Sequence, residues 1–171
     1  MIGLVLSLLV VAGWVFLAGP SGNNPKALAQ GPADRVVIEK ASRRLTLYQK
    51  DQVFEVFLVA LGREPLGKKA CQGDLKTPEG QYRVVGRNPK SAYHLSLRLS
   101  YPNAADVAAA KAKGCPPGGD IMIHGITNGL GWMGRLHRQV DWTLGCIAVT
   151  DEEIERIWNL VPDGTPVEIK P

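Results

Sequence analysis

The sequence predicts a mainly β fold with a few helices packed on it. Two observations favour the β class: several short runs rich in β-branched and aromatic residues, and turn residues between them. Two capped apolar segments predict the helices. The chain has 171 residues, of which 45% are hydrophobic and 21% charged. It is therefore long enough for one domain with its own core and is unlike a disordered protein.

Three short strands open the predicted domain, at residues 36–40, 44–48 and 53–60. They are rich in apolar residues, and polar turns at 41–42 and 49–51 separate them. Because connections this short join antiparallel neighbours, we expect a meander rather than a βαβ unit.

The next segment alternates loops and strands. Residues 61–76 form a Gly/Lys-rich loop, and a turn at 77–80 leads into a strand at 81–85. Residues 93–101 alternate strictly, which predicts a strand with two different faces. The apolar face carries Tyr93, Leu95, Leu97, Leu99 and Tyr101, and the polar face carries His94, Ser96, Arg98 and Ser100. We expect the polar face to meet solvent or to line a groove.

Two helices and a last strand complete the predicted domain. Asn103 can cap a helix over residues 104–113, with Gly114 as its stop. Thr150, followed three residues later by a glutamate, forms a capping box for a second helix with an apolar stripe. A turn rich in Pro and Gly then leads into a strand at 167–169.

The N-terminal segment has the composition of a targeting signal. Residues 2–18 are mostly apolar, and small residues at 27 and 29 offer a cleavage site. We expect residues 1–29 to be a secretory signal peptide or an uncleaved membrane anchor, 30–33 a linker and 34–170 the folded domain. Either form of the segment places the domain on the periplasmic or cell-wall side of the cytoplasmic membrane.

The net charge of +4 comes from scattered basic residues. No basic run is interleaved with aromatic residues, so the sequence predicts no nucleic-acid partner. Attraction to an anionic polymer such as the cell wall is compatible with this charge, and so is plain solubility.

The strongest chemical pattern is a histidine and a cysteine in strand-like surroundings. His124 ends an apolar run and precedes Gly125, and Cys146 follows Gly145. A thiol is weakly nucleophilic until a base removes its proton, and a Gly-Cys turn can aim backbone N–H groups at an oxyanion. We therefore predict a cysteine nucleophile with a histidine base, against the alternative of a buried structural thiol.

A metal site is the competing interpretation of these residues. Cys146, His124 and His137 could form a zinc set, but the spacings of known zinc motifs are absent from the sequence. We predict no metal and no cofactor.

Cys71 and Cys115 both lie in loops rich in Gly, Pro or Lys. In an oxidising compartment a bridge between them that leaves Cys146 free is economical. The spacing alone does not establish that bridge.

At these residues the chain resembles the L,D-transpeptidase catalytic domain family, also called YkuD-like or ErfK/YbiS-like. The resemblance rests on the His-Gly at 124–125, the Thr-Leu-Gly-Cys-Ile at 143–147 and the turn at 77–82, and it covers nearly all of 34–170. Residues 94–103 look closest to the YafK-like branch. The resemblance implies a β-sandwich-type catalytic domain.

The same resemblance implies a role for each matching residue. Cys146 is similar to the family nucleophile and His124 to its base, with the Gly125 carbonyl orienting the imidazole. The N–H groups of Gly145 and Cys146 are expected to form the oxyanion hole. Candidate substrate-binding residues are Thr143, Arg98, Arg135 and His94.

Such enzymes attack the carbonyl between the L-centre of residue three of a peptidoglycan stem peptide and its D-residue four. The implied acyl acceptor is an amine of another stem or of a wall-anchored lipoprotein. One departure is Ala148, where many family members carry arginine, and another is a slightly long spacer, so that residues 126–140 are expected to form a lid or substrate loop. Alternative functions are a peptidoglycan hydrolase with the same chemistry, an inactive wall-binding module and a sortase.

Overall fold

The computed structural model describes residues 31–171. The predicted signal or anchor at 1–29 lies outside the described residues. Within the described part, none of the helices has the length and apolar character needed to cross a lipid bilayer.

The described chain is mostly β, as predicted. Its strands are β1 (Arg35–Glu39), β2 (Arg44–Gln49), β3 (Gln52–Leu58), β4 (Gly80–Ser91), β5 (His94–Leu99), β6 (Met122–His124), β7 (Ile147–Ala148) and β8 (Pro166–Lys170). Its α-helices are α1 (Ala104–Ala112) and α2 (Asp151–Leu160), and a 3₁₀ segment spans Gly131–Gln139.

The strands follow the order β3-β2-β1-β8-β4-β5-β6-β7. The first three are antiparallel neighbours, which confirms the predicted meander. Two parallel pairs, β1 with β8 and β6 with β7, were not predicted. The long β4 joins the two halves, because its first residues pair with β8 and its later residues pair with β5.

The two ends of this strand order meet just after β3. Ala60 and Ala148 exchange both backbone hydrogen bonds at 2.9 Å, and Gly62 forms a bridge with Thr143. The sheet therefore closes on itself, and the chain at 60–63 runs beside the segment that contains Cys146.

The alternation in β5 is confirmed where it faces the core. Leu97, Leu99 and Tyr101 are buried, and Arg98 between them is exposed. Ser96, on the polar face, is buried but lines a cavity together with Arg98. The polar face of this strand therefore lines a groove, one of the two outcomes expected for it.

Both predicted helix caps are present. The Asn103 side chain accepts from the Asp106 N–H, and the Asp106 carboxylate accepts from the Asn103 N–H. Thr150 and Glu153 form the corresponding box at the start of α2. Since α2 buries Ile154 and packs against β5 and β6, its first turn is fixed next to His124.

Candidate active site

The pairing of β6 with β7 brings the predicted histidine and cysteine together. His124 pairs with Ala148 in a parallel register. Cys146 lies two residues before Ala148, and side chains two apart along an extended chain point to the same face. Both side chains accordingly line one cavity of about 500 Å³.

The turn before Cys146 is held by a threonine hydroxyl. Thr143 Oγ1 donates to the Cys146 carbonyl oxygen at 2.8 Å and accepts from the Gly145 N–H at 3.1 Å. Gly145 has φ +135°, and a Cβ there would lie 2.6 Å from the Lys76 carbonyl oxygen. Glycine is therefore required at this position, both for its backbone conformation and for the close approach.

The two backbone N–H groups that are expected to form the oxyanion hole differ in their hydrogen bonds. The Gly145 N–H is taken up by Thr143, whereas the Cys146 N–H has no hydrogen-bond partner within residues 31–171. Thr143 is nearly buried, and its hydroxyl serves the backbone of the turn. Thr143 lines the cavity, but its hydroxyl already makes hydrogen bonds to the backbone of residues 145 and 146.

His124 is held in one tautomer. Its Nδ1 lies 2.7 Å from the Gly125 carbonyl oxygen, and because a carbonyl oxygen only accepts, Nδ1 must donate. Nε2 is then an acceptor in the neutral ring. A Cβ on residue 125 would lie 2.7 Å from Asp151 Oδ1, so the chain at the orienting carbonyl passes too close to α2 for a side chain.

Aromatic rings enclose the imidazole of His124. Tyr93 stacks on it with ring centroids 4.4 Å apart, and Trp142 meets it edge-on at 5.7 Å. The side chain is only 2% exposed. Burial lowers the pKa of His124 to about 4, against a smaller opposing effect of the Gly125 hydrogen bond. The ring is therefore neutral at physiological pH and able to accept a proton.

Cys146 is partly buried, and its thiol lies 3.5 Å from the Asp120 carbonyl oxygen, to which it donates. Burial raises the pKa of the Cys146 thiol, while the Met122 N–H and Lys69 act in the opposite direction. A neutral thiol next to a neutral imidazole is suited to proton transfer during attack, rather than to a preformed thiolate–imidazolium pair.

A disulfide supports one wall of the cavity. Cys71 and Cys115 are bonded, with Cα atoms 5.7 Å apart, and Cys146 remains the free cysteine. The bridge, with a hydrogen bond from the Gln72 N–H to the Pro116 carbonyl oxygen, ties the 62–79 loop to the segment that leads to Asp120. Asp120 lines the cavity.

The four predicted substrate-binding residues are distributed unevenly. Thr143 lines the cavity of Cys146. Arg98 lines an adjoining cavity of about 400 Å³ that shares Asp120 and Met122 with it. His94 instead contacts Glu155 of α2 at 2.7 Å, and Arg135 is exposed on the 3₁₀ segment, so neither of these two predictions is supported by the geometry.

Arg63 and Tyr93 both line the cavity but are not among the site residues predicted from the sequence. The alternation of residues 93–101 places Tyr93 only on the apolar face of a strand. Arg63 lay in a loop with no distinguishing pattern, and it is brought in by the bridge between Gly62 and Thr143.

The loop expected to act as a lid folds into two 3₁₀ turns joined at Gly134. It encloses a separate apolar pocket of about 350 Å³, lined by Leu136, His137 and Trp142 among others. Arg138 pairs with Glu153 of α2 and fixes the loop to the domain. The described residues contain no cluster of His, Cys, Asp and Glu able to hold a metal ion.

Known proteins resemble this chain over most of its length. Residues 33–169 match the family model described as YkuD, L,D-transpeptidase catalytic domain. The chain is 29% identical over 174 residues to the protein named "Putative L,D-transpeptidase YafK" from Escherichia coli K12, covering 94% of this chain and 63% of that protein.

Solved structures give the same picture of the fold. The helical cell shape determining protein Pgp2 from Campylobacter jejuni, as its K307A mutant, has a TM-score of 0.60 and 25% identity, covering 83% of this chain and 49% of that one. An L,D-transpeptidase from Mycobacterium smegmatis has a TM-score of 0.54 at 12% identity, covering 81% and 59%. The chain therefore spans about half to two thirds of the length of these proteins.

Proposed function

The chain belongs to the L,D-transpeptidase catalytic domain family, whose model matches residues 33–169, and from this premise we propose that it is a cysteine-dependent acyl transferase of peptidoglycan stem peptides. The observation that supports this most is the shared cavity of Cys146 and His124. His124 is a neutral base there, oriented by the Gly125 carbonyl oxygen.

In the first half-reaction the thiol attacks the carbonyl carbon of residue three of the stem. The Cys146 proton passes to His124 Nε2 as the S–C bond forms, and the Cys146 N–H donates to the developing oxyanion. The tetrahedral intermediate then breaks its C–N bond to the D-residue. His124 returns the proton to the leaving amine, which leaves a thioester on Cys146.

In the second half-reaction an amine attacks the thioester. His124 accepts the amine proton, the C–S bond breaks, and the proton goes to the departing Cys146 sulfur. The product is a new amide, either a crosslink between stems or a link to a wall-anchored lipoprotein. Because Cys146 is only partly buried, water can also reach the thioester, which makes a peptidoglycan hydrolase the second candidate.

We also propose where the domain is located in the cell. We assign residues 1–29 to a signal peptide or anchor and 34–170 to a domain on the outer side of the cytoplasmic membrane. The Cys71–Cys115 disulfide supports this, because such bridges persist in oxidising compartments.

Mass spectrometry of muropeptides incubated with the full chain tests the function. Loss of D-alanine with new crosslinks is the expected result, and loss of D-alanine without new crosslinks, leaving stems that end in a free carboxyl at residue three, would identify the hydrolase. The Cys146→Ala variant is the control and should leave the muropeptides unchanged.

A second measurement addresses the thiol directly. Intact-mass analysis after exposure to a carbapenem should show a covalent adduct that is absent in Cys146→Ala. If the chain forms no adduct and alters no muropeptide, the proposed function is wrong, and an inactive wall-binding module is the alternative that remains.

A further inference from the structure

Arg63 is an exposed residue that lines the same cavity as Cys146, and it is held there by both its backbone and its side chain. Its N–H donates to the Thr143 carbonyl oxygen at 3.1 Å, and its Nε donates to the Trp142 carbonyl oxygen at 3.2 Å. The two terminal nitrogens of the guanidinium make no hydrogen bond or ion pair with any residue of 31–171. Both terminal NH2 groups, with four N–H donors between them, thus remain for a ligand in the cavity that Arg63 lines.

The positive charge of Arg63 is not balanced by an ion pair in this cavity. Among the described residues that line the cavity there is one cation, Arg63, and one carboxylate, Asp120. No ion pair within 4.0 Å joins these two, so the cation is not neutralised by its neighbour. His124 adds no charge while it is neutral.

Position 148 offers no alternative cation. Ala148 is 0% exposed, and its N–H and carbonyl both bond to Ala60. The alanine side chain carries no charge and no hydrogen-bonding group. Among the residues that line the Cys146 cavity in the described part of the chain, Arg63 is the cation available to an anion.

The ligand group that an arginine fork matches best is a carboxylate, which it can bind through two parallel hydrogen bonds. In a stem peptide placed for attack, the terminal carboxylate of residue four is attached to the carbon next to the leaving nitrogen. It therefore enters the same cavity as the scissile carbonyl.

We propose that Arg63 binds the terminal carboxylate of the D-residue that is displaced, and so selects stems that end at that residue. This inference rests on the proposed function. It makes Arg63 a specificity-determining residue, since a stem extended or amidated at residue four lacks the charge that Arg63 recognises.

Binding measurements separate this inference from catalysis. The full chain with Cys146→Ala, which cannot form the thioester, is titrated with a stem tetrapeptide ending in D-alanine and with its C-terminal carboxamide. We expect the acid to bind about 10- to 100-fold more tightly than the amide, the range for a charge-assisted pair. Adding Arg63→Gln should remove that difference by weakening the acid alone.

Two further variants serve as matched controls. Arg44→Gln removes an exposed arginine that has no ion pair among the described residues, and it should preserve the ratio between acid and amide. Arg63→Lys keeps the charge without the fork and should retain part of the ratio. Unchanged affinity for the amide shows that the Arg63→Gln variant is folded.

An undiminished ratio in Arg63→Gln would overturn the inference alone. So would a preference that follows amidation of another carboxylate of the peptide. If neither peptide binds the Cys146→Ala chain, the proposed function and the inference both fail.

Discussion

Two cavities lie on either side of Trp142, and each contains a buried histidine. His124 and His137 are 2% and 3% exposed, and burial lowers the pKa of each to about 4. Their hydrogen bonds differ. His124 donates from Nδ1 to a carbonyl oxygen, whereas His137 Nδ1 accepts from the Trp142 indole N–H at 3.2 Å.

The two neutral imidazoles therefore carry their proton on different nitrogens and offer different groups to their cavities. His124 has an acceptor nitrogen left in a cavity that holds a thiol. The neutral His137 carries its proton on Nε2, which is buried without a partner in a pocket of apolar character. A lowered pKa alone therefore does not identify a base, because the neighbour of one ring nitrogen decides what the other can do.

The largest difference between the two histidines is expected in acyl transfer. We expect His124→Gln to lower the rate of Cys146 acylation about 10²- to 10⁴-fold, the usual contribution of a general base. His137→Gln should lower it less than about 10-fold, since His137 does not line the cavity of Cys146. Single-turnover rates with a stem tetrapeptide measure both, and equal losses would contradict the distinction.

The two histidines should behave alike in the pH dependence of stability. The folded pKa of each, about 4, lies below the unfolded value of 6.5. The unfolded state therefore binds more protons between these values, so this stability is fully present above pH 6.5 and is lost as the pH falls to 4. Each histidine should contribute about 3 kcal/mol of that loss.

Urea unfolding at a series of pH values measures this loss. The two histidines together account for one part of the decrease in the free energy of unfolding at low pH. His137→Gln should remove about half of that part, and the half due to His124 should remain. An unchanged pH dependence in this variant would show that His137 is not buried as a neutral ring. In the active chain, the acid limb of kcat/KM should lie near the folded pKa of His124, about 4.

The smallest effect is expected from Trp142→Phe, which keeps a ring beside both histidines. It removes the indole donor to His137, and we expect the free energy of unfolding to fall by about 1–2 kcal/mol. Acylation of Cys146 should change less than about threefold. Trp132→Phe, at a largely exposed tryptophan, is the control. If Trp142→Phe lowered the acylation rate as much as His124→Gln does, the two cavities would not be functionally separate.

Local patterns were sufficient to predict the strands and the two capped helices, whereas His124 and Cys146, which line one cavity, were paired by their chemistry and by the resemblance to a family motif. Alternation and capping depend on neighbours within a few residues, so the sequence carries them directly. Arg63 could not be predicted, because it reaches the site through a long-range bridge between Gly62 and Thr143. The hydrogen bond from the Gly145 N–H to the Thr143 hydroxyl could not be predicted for a similar reason, since the orientation of that hydroxyl is a property of the folded turn.

The Cys71–Cys115 disulfide bears on the oxidative folding of the protein. The chain has three cysteines, so three pairings are available during oxidation, and only Cys71 with Cys115 leaves Cys146 free. Either wrong pairing would block the nucleophile and release the wall that carries Asp120 at the same time. We therefore expect correct pairing to raise the fraction of active chains without changing the rate of any one of them, and thiol–disulfide exchange can convert a wrong pairing into the correct one.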